Sequence, residues 1–187
     1  MVSAARTREG ARLSEDELCA RAARIRLVLT DCDGVLTDGG VYYSAAGEEL
    51  RRFSVRDGMG FALLRAEGLA CGIVSGEPSG SIAARATKLR LEEVHLGVSD
   101  KAARLREILA RLDLSPSACA YMGDDVNDLG AIDALRDGLV ACPSDAVARV
   151  RDEAHITVPA RGGDHAFRAF ADVLLSLRQR GAHVPHA

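Results

Sequence analysis

Short apolar runs alternate along the chain with stretches whose apolar residues recur at helical spacing. The apolar runs are typical of strands and cover residues 25–30, 69–74, 93–96, 118–122, 139–142 and 155–158. The stretches between them predict helices, of which the clearest covers residues 101–112. Others are expected over residues 14–23, over most of 78–90 and from about 164 to 177. Ser14 and Asp100 stand where helix N-caps are expected. The alternation predicts an α/β fold with a doubly wound, mostly parallel sheet and helices on both faces.

One segment interrupts this alternation. Strand-like residues 41–43 and 48–54 flank a Ser-Ala-Ala-Gly turn, which predicts a β-hairpin over about residues 40–54. A hairpin that projects from one subunit is only marginally stable in water. We expect its apolar residues Val41, Tyr43 and Phe53 to have no cover within their own subunit. The hairpin is therefore predicted to pack against the same hairpin of other copies.

Composition and net charge indicate how many domains the chain forms and argue against one class of partner. The chain has 187 residues, of which 48% are hydrophobic and 27% are charged, which is enough for one domain with a sizeable core. We expect that domain to span residues 14–178, between a flexible leader (1–13) and a flexible tail (179–187). The net charge of −3 and the lack of a basic stripe argue against a nucleic-acid partner.

The sequence also indicates where in the cell the protein acts and whether its cysteines are reduced. No run of about 20 apolar residues is available to span a membrane, and the leader lacks the apolar core of a secretory signal. The five cysteines are scattered and form no C-x-x-C pair. They are expected to be reduced core thiols, so the chain is predicted to be cytoplasmic with no membrane partner.

The strongest chemical signal is a pair of carboxylates at the end of the first predicted strand. Asp31 and Asp33 lie on the same side of an extended chain, and Gly34 lets the chain turn sharply after them. Such a pair can hold a hard cation and leave one oxygen free for nucleophilic attack. A calcium loop is excluded, because Val-Leu-Thr follows where further oxygen ligands would be needed. A solvated turn stays open on this motif alone.

Three further polar motifs follow later strands. Ser75, with Gly76 and Glu77, begins a loop that suits a phosphate oxygen, although a helix cap is the simpler alternative. Lys101 opens a predicted helix, where the dipole disfavours a lysine unless it pairs with a carboxylate or phosphate; a solvated lysine is the alternative. The segment 123–128, Gly-Asp-Asp-Val-Asn-Asp, concentrates acids at a strand end, which is costly without a cation.

Together these motifs resemble, in order, the four signature motifs of the haloacid dehalogenase (HAD) superfamily of phosphohydrolases. The matching positions are Asp31-Cys32-Asp33-Gly34-Val35, Ser75, Lys101 and Gly123-Asp124-Asp125 with Asp128. The resemblance covers about residues 25–177 and implies a Rossmann-like HAD fold. The intervals 34–74 and 76–100 are too short for the cap domain that many members insert there, so no cap domain is expected.

Within the superfamily, the chain most resembles the capless 3-deoxy-octulosonate 8-phosphate phosphatases. The similar stretches are 33–39, 55–60, 123–128 and 161–163. Members of this branch are tetramers in which each subunit's hairpin helps to form a central barrel. The resemblance therefore implies a homotetramer that acts on a small sugar-acid phosphate.

One departure changes the expected substrate. Glu77 stands where this branch usually has arginine, and Lys88 follows in the next predicted helix. This pairing resembles the sister branch that acts on 2-keto-3-deoxynononate 9-phosphate (KDN 9-phosphate). A glutamate would repel a substrate carboxylate and accept sugar hydroxyls instead. The nine-carbon ester is therefore the first expectation, and the eight-carbon ester, 3-deoxy-D-manno-octulosonate 8-phosphate (KDO 8-phosphate), is the alternative.

Two other classes of protein stay open. One is a catalytically inactive partner of a sugar-acid cytidylyltransferase, since the same fold also occurs fused to such enzymes. The other is a receiver domain of a signalling system, which also places strand-end acids, a hydroxyl and a lysine around Mg²⁺. Receiver domains lack both the Asp-x-Asp pair and the hairpin, so this alternative is the weaker one.

The resemblance implies a Mg²⁺-dependent phosphatase that works through an aspartyl-phosphate. Asp31 would be the nucleophile and Asp33 the general acid and base, while Ser75 and Lys101 would bind the phosphate. Mg²⁺ would be held by Asp31, the backbone carbonyl of Asp33 and Asp124. Asp125 or Asp128 would orient Lys101 or a metal-bound water. The residues implied in substrate binding are Arg56, Asp57, Gly58, Gly76, Glu77 and Lys88.

Overall fold

The computed structural model describes residues 13–181. The predicted leader up to residue 12 and the predicted tail from residue 182 lie outside the described residues. The last helix continues to Gly181, which is three residues beyond the predicted domain end at residue 178. That helix end is packed against the first helix, since a side chain on Gly181 would crowd the carbonyl oxygen of Cys19.

Seven helices and eight strands alternate over the described residues. The helices are α1 (Glu15–Arg24), α2 (Val55–Ala66), α3 (Gly80–Leu89), α4 (Lys101–Arg111), α5 (Leu129–Ala134), α6 (Ala148–Glu153) and α7 (Ala166–Gly181). The strands are β1 (Leu27–Thr30), β2 (Tyr42–Ser44), β3 (Gly47–Leu50), β4 (Ala70–Val74), β5 (Glu93–His95), β6 (Cys119–Met122), β7 (Leu139–Cys142) and β8 (Ile156–Thr157). Short 3₁₀ turns at Pro116–Ala118 and Val126–Asp128 precede β6 and α5.

Six strands form one parallel sheet in the order β5-β4-β1-β6-β7-β8. All six predicted strands are present, with limits close to the predicted ones. From β1 the chain first adds β4 and β5 on one side, and then crosses over to add β6, β7 and β8 on the other. The carboxyl end of β1 therefore lies at the switch point where open α/β sheets bind ligands.

Helices cover both faces of the sheet, as predicted. One core joins the sheet to α1, α2, α3 and α7, and within it the rings of Phe61 and Phe167 stack with centroids 4.1 Å apart. The other core joins it to α4, α5 and α6. In β1, Val28 enters the first core while Leu27 and Leu29 enter the second. Burial on both faces explains why the central strands are continuously apolar rather than alternating.

Helix starts follow the predicted capping chemistry at two positions. Ser14 and Glu17 form a reciprocal capping box at α1, and Asp100 Oδ1 accepts a hydrogen bond from Ala103 N at 2.9 Å at α4. A helix covers most of residues 78–90, as predicted, but it begins at Gly80, because Ser79 is the N-cap and Pro78 precedes the helix. The loop after β4 is therefore longer than expected.

The predicted hairpin is formed by β2 and β3, which pair antiparallel. Tyr42, Tyr43 and Leu50 are 62–70% exposed, so the described residues do not cover these side chains. Phe53 differs from the expectation, because it packs against the core that contains α2 and α7. The apolar surface available to a neighbouring copy is therefore the tip and sides of the hairpin, without Phe53.

The cysteines match the sequence interpretation. All five are buried and unpaired, as expected for core thiols. In the part of the chain that the structure describes, no helix combines the length and apolar content that a membrane span requires.

Candidate active site

Asp31 is fixed at the carboxyl end of β1 by contacts on three sides. Its backbone N–H donates to the carbonyl oxygen of Met122 at 2.8 Å, which ties the strand end to β6. Its Oδ1 accepts from Cys32 N at 2.7 Å, and its Oδ2 lies 2.8 Å from Lys101 Nζ. The carboxylate is only 4% exposed, so its position is set by these partners rather than by solvent.

Lys101 bridges Asp31 and Asp128. Its Nζ lies 2.7 Å from Asp128 Oδ1, and the lysine is 3% exposed. Burial alone would lower the pKa of Lys101, but the two adjacent carboxylates outweigh burial and raise the pKa. The lysine is therefore charged at neutral pH, and the carboxylate partners explain why it tolerates the first turn of α4.

Both carboxylate oxygens of Asp128 already accept hydrogen bonds from neighbouring residues. Its Oδ1 also accepts from Tyr121 Oη at 2.6 Å, and its Oδ2 accepts from Asp124 N at 2.9 Å and Asp125 N at 3.3 Å. Asp128 is fully buried. The predicted support of Lys101 thus falls to Asp128, whereas the exposed Asp125 caps the 3₁₀ turn that follows.

Tyr121 is a site residue that sequence reasoning missed. It lies within β6, where the sequence indicates only an apolar strand, and its ring is fully buried in the core beside α4 and α5. Its hydroxyl donates to Asp128 Oδ1 and so reaches the acidic cluster. A tyrosine in an otherwise aliphatic strand, two residues before Gly123, is the signal that could have revealed it.

The acidic cluster has the donor set of a divalent-cation site. Carboxylate oxygens of Asp31, Asp124 and Asp128 all lie within 4.8 Å of one another. Burial first, and then the charges of neighbouring carboxylates, raise the pKa of Asp31 to about 7 and that of Asp124 to about 8. Because Asp128 is fully engaged, Asp31 and Asp124 are the side chains left to hold a cation.

A buried carboxylate oxygen of this cluster supports the fit. Asp124 Oδ1 has no hydrogen-bond partner among the described residues. A buried carboxylate oxygen is costly unless it is paired or bound to a metal. The oxygen-rich, anionic donor set therefore suits a hard cation such as Mg²⁺ rather than a soft one.

Asp33 is held by the hairpin, through a residue that sequence reasoning missed. Arg51, which directly follows β3, donates from Nε to Asp33 Oδ1 at 2.7 Å. Thr37 Oγ1 donates to the same oxygen at 3.4 Å. The arginine side chain is only 1% exposed. Its place in a charged Glu-Glu-Leu-Arg-Arg run gave no sign that it would be buried.

The predicted phosphate-binding loop lies beside the carboxylates. Ser75 N donates to His95 O at 2.9 Å, and Ser75 Oγ accepts from Glu77 N at 3.1 Å. A cleft of about 440 Å³ opens over the carboxyl end of the sheet. Its lining includes Asp31, Asp33, Gly34, Gly39, Ser75, Gly76, Glu77 and residues 124–127.

Four predicted substrate-binding residues do not line this cleft within the chain: Arg56, Asp57, Gly58 and Lys88. Asp57 is buried in the first turn of α2, and its Oδ1 accepts from Arg168 N at 2.8 Å. It therefore caps the amino end of α7 from a neighbouring helix. A side chain on Gly58 would crowd Leu89 and Arg85. Within one chain, Asp57 and Gly58 therefore contribute to helix packing, and their part in substrate binding stays a prediction.

The glycine pair at 161–163 supports the catalytic loop. A side chain on Gly162 would collide with the carbonyl oxygen of Gly34. Gly163 has a φ of +67° and donates from its N–H to Val35 O at 3.0 Å. The small residues let this loop lie directly on the loop that carries Asp33.

Comparison with known proteins is consistent with this geometry. No protein-family model matches the chain. The chain is 36% identical over 160 residues to the 3-deoxy-D-manno-octulosonate 8-phosphate phosphatase KdsC of Yersinia pestis, covering 86% of this chain and 84% of that protein. A putative HAD superfamily (subfamily III A) hydrolase from Legionella pneumophila has a TM-score of 0.83 at 32% identity, covering 89% of this chain and 91% of the other.

A third relative carries ligands in its crystal structure. The 3-deoxy-D-manno-octulosonate 8-phosphate phosphatase of Moraxella catarrhalis, in complex with a magnesium ion, a phosphate ion and a KDO molecule, has a TM-score of 0.82 at 28% identity. The match covers 89% of this chain and 95% of that one. The names of the two phosphatases specify the eight-carbon ester, so the similarity favours that alternative over the nine-carbon ester predicted from Glu77 and Lys88.

Proposed function

Because this chain belongs to the 3-deoxy-D-manno-octulosonate 8-phosphate phosphatase family of the HAD superfamily, we propose that it hydrolyses KDO 8-phosphate to KDO and inorganic phosphate. The observation that carries the proposal is the placement of Asp31 at the switch point, 2.8 Å from a charged Lys101 and next to Asp124. A carboxylate so placed has the partners needed to approach a dianionic phosphate.

In the proposed reaction, an oxygen of Asp31 attacks phosphorus and the bond from phosphorus to the sugar oxygen breaks. Asp33 gives its proton to the departing sugar oxygen, which leaves an aspartyl-phosphate on Asp31. Asp33 then takes a proton from a water that attacks the same phosphorus. Phosphate leaves, and the carboxylate of Asp31 and the acid form of Asp33 are restored.

The remaining residues manage the phosphate charge. Lys101 lies close enough to Asp31 to neutralise part of the charge on the transferring group, while Ser75 offers its hydroxyl from the neighbouring loop. Asp31 and Asp124, with the carbonyl of Asp33, would hold Mg²⁺. When bound, Mg²⁺ neutralises the phosphoryl oxygens as they approach the acidic cluster.

A second candidate substrate, KDN 9-phosphate, is favoured by Glu77. This residue lines the cleft, and its Oε2 lies 4.0 Å from an amino nitrogen of Arg51. A carboxylate at the cleft mouth suits sugar hydroxyls better than a substrate carboxylate. Lys88, the other residue behind this prediction, does not line the cleft within one chain.

A substrate panel separates these possibilities. We expect Mg²⁺-dependent phosphate release with the highest kcat/KM on KDO 8-phosphate, compared with KDN 9-phosphate and p-nitrophenyl phosphate. Glu77→Arg should raise the ratio of eight- to nine-carbon kcat/KM, while Glu92→Arg, an exposed control outside the cleft, should not. A preference for the nine-carbon ester would overturn the main proposal. No release from any ester would support the inactive-partner alternative.

We also propose that the chain acts in the cytoplasm as a homotetramer assembled through its hairpins. The support is the exposure of Tyr42, Tyr43 and Leu50 on β2 and β3, and of Met59 on α2. The five unpaired thiols suit a reducing compartment. Light scattering should give the tetramer mass, and Tyr43→Asp should lower it together with activity. A fully active monomer at working concentration would contradict the proposal.

A further inference from the structure

Arg51 connects the hairpin to the predicted acid and base. It directly follows β3, and its guanidinium is buried beneath the hairpin base. Nε donates to Asp33 Oδ1 at 2.7 Å, and one amino nitrogen donates to Ser79 Oγ at 2.6 Å and pairs with Glu48. Ser79 is the N-cap of α3. One side chain thus joins the hairpin, the nucleophile loop and the start of α3.

Asp33 lines the cleft, and this arrangement leaves one of its oxygens unpaired. Oδ1 is engaged by Arg51 and Thr37, whereas Oδ2 is buried and has no hydrogen-bond partner among the described residues. A proton donor must present a defined oxygen to the leaving group within hydrogen-bond reach. The contact from Arg51 selects which oxygen of Asp33 is presented, because it holds the carboxylate by the other one.

A direct role in substrate binding fits Arg51 poorly. The side chain is 1% exposed, and carboxylates of Asp33, Glu48 and Glu77 already surround it. A substrate carboxylate would have to displace one of these partners. Arg51 does not line the cleft either. The guanidinium of Arg51 therefore binds groups of the protein rather than the substrate.

We propose that Arg51 is a positioning residue that orients Asp33 for protonation of the sugar leaving group. The position of the hairpin, which carries Arg51 at its end, is thereby coupled to catalysis. The inference rests on the proposed phosphatase function. It predicts a dependence on the leaving group. A sugar oxygen must be protonated as it departs, whereas a nitrophenolate leaves without a proton, so only the sugar ester needs a well-placed Asp33.

The test compares kcat/KM on KDO 8-phosphate and on p-nitrophenyl phosphate, because kcat/KM covers the steps up to departure of the leaving group. We expect Arg51→Met to lower the value about 100-fold on the sugar ester and less than about threefold on the aryl ester. Arg51→Lys, which keeps a charged donor, should recover most of the loss. Arg52→Met, an exposed neighbour that pairs with Asp38, should change neither.

Equal losses on both esters, or no loss on either, would overturn the proposal. Should Arg51→Met fail to fold, Ser79→Ala removes only one anchor of Arg51 and should give a smaller loss with the same leaving-group dependence. The wild type separately tests the function. If it releases no phosphate from KDO 8-phosphate, the function fails, and the same comparison between alkyl and aryl phosphates still tests Arg51.

Discussion

A side chain on Gly34 would collide with the carboxylate of Asp124. Gly34 has a φ of +83°, a conformation that favours glycine, and it turns the chain directly after Asp33. The turn after β1 and the loop after β6 are therefore packed without space for a methyl group. The position of the predicted metal ligand depends on the lack of a side chain at Gly34.

Gly34→Ala should weaken Mg²⁺ binding, because the added methyl group displaces Asp124. We expect the Mg²⁺ concentration for half-maximal activity to rise at least tenfold. Gly68→Ala is the matched control, since Gly68 has a φ of +75° but no atom within 4 Å of the added group. It should cost only about 1–2 kcal/mol of backbone strain and leave the Mg²⁺ dependence unchanged. Equal Mg²⁺ dependence in the two variants would show that Asp124 does not need the space.

Asp128→Asn should slow turnover by disordering Lys101. An asparagine amide nitrogen cannot accept hydrogen bonds, so it cannot satisfy both pairs of donors that meet the two oxygens of Asp128. We expect kcat to fall about 10- to 100-fold. Asp125→Asn is the control, because asparagine caps a helix about as well as aspartate. Steady-state kinetics of the two variants would contradict this account if both kept the wild-type kcat.

Asp57→Ala should lower stability without changing substrate affinity. Asp57 caps α7 through Arg168 N, and loss of a cap costs about 1 kcal/mol of unfolding free energy. Asp172→Ala, which removes only an exposed ion pair on the same helix, should cost less than about 0.5 kcal/mol. Urea unfolding and KM for the sugar ester are the measurements. A raised KM at unchanged stability would restore Asp57 to the substrate site.

His155 should make stability fall in mild acid. Its Nδ1 accepts from Val140 N at 3.1 Å, and burial, with the charges of Arg21 and Arg136, lowers its pKa from 6.5 to about 4. The folded state disfavours the protonated ring. The contribution of the neutral His155 ring to stability is therefore present above pH 6.5 and is lost as the pH falls towards about 4.

His155→Asn keeps an acceptor that does not titrate, so it should flatten the dependence of the unfolding free energy on pH over this range. The expected difference is on the order of 1 kcal/mol, after allowance for partial exposure of the ring. Urea unfolding of both proteins at several pH values is the measurement. Parallel pH profiles would show that another group causes the acid sensitivity.

Most of the fold could be predicted because the signals are local. The buried strands are continuous apolar runs, and Ser14 and Asp100 cap the helices that follow them. Asp31, Asp33, Ser75 and residues 124–127 share one cleft because parallel strands present their carboxyl ends at one edge. The β-α-β alternation predicts the parallel strands that create this edge.

The errors arose where tertiary contacts decide the role of a residue. Arg51 and Tyr121 reach the acidic groups only because the hairpin folds over Asp33 and β6 lies beside Asp128. The hydrogen bond by which Asp57 caps α7 could not be predicted either, because it forms only when α2 and α7 pack together. The prediction of the nine-carbon ester depends mainly on one residue, Glu77. The relatives are similar to most of the chain, and their names specify the eight-carbon ester.

The most direct test is phosphate release from KDO 8-phosphate by the wild type and by Asp31→Asn, each with Mg²⁺ and with a chelator. An amide cannot attack phosphorus and barely changes the side-chain volume. The account predicts Mg²⁺-dependent release by the wild type and none by Asp31→Asn, with circular dichroism unchanged. Asp38→Asn, an exposed carboxylate paired with Arg52, should behave like the wild type. Activity of Asp31→Asn within tenfold of the wild type, or undiminished wild-type activity in chelator, would contradict it.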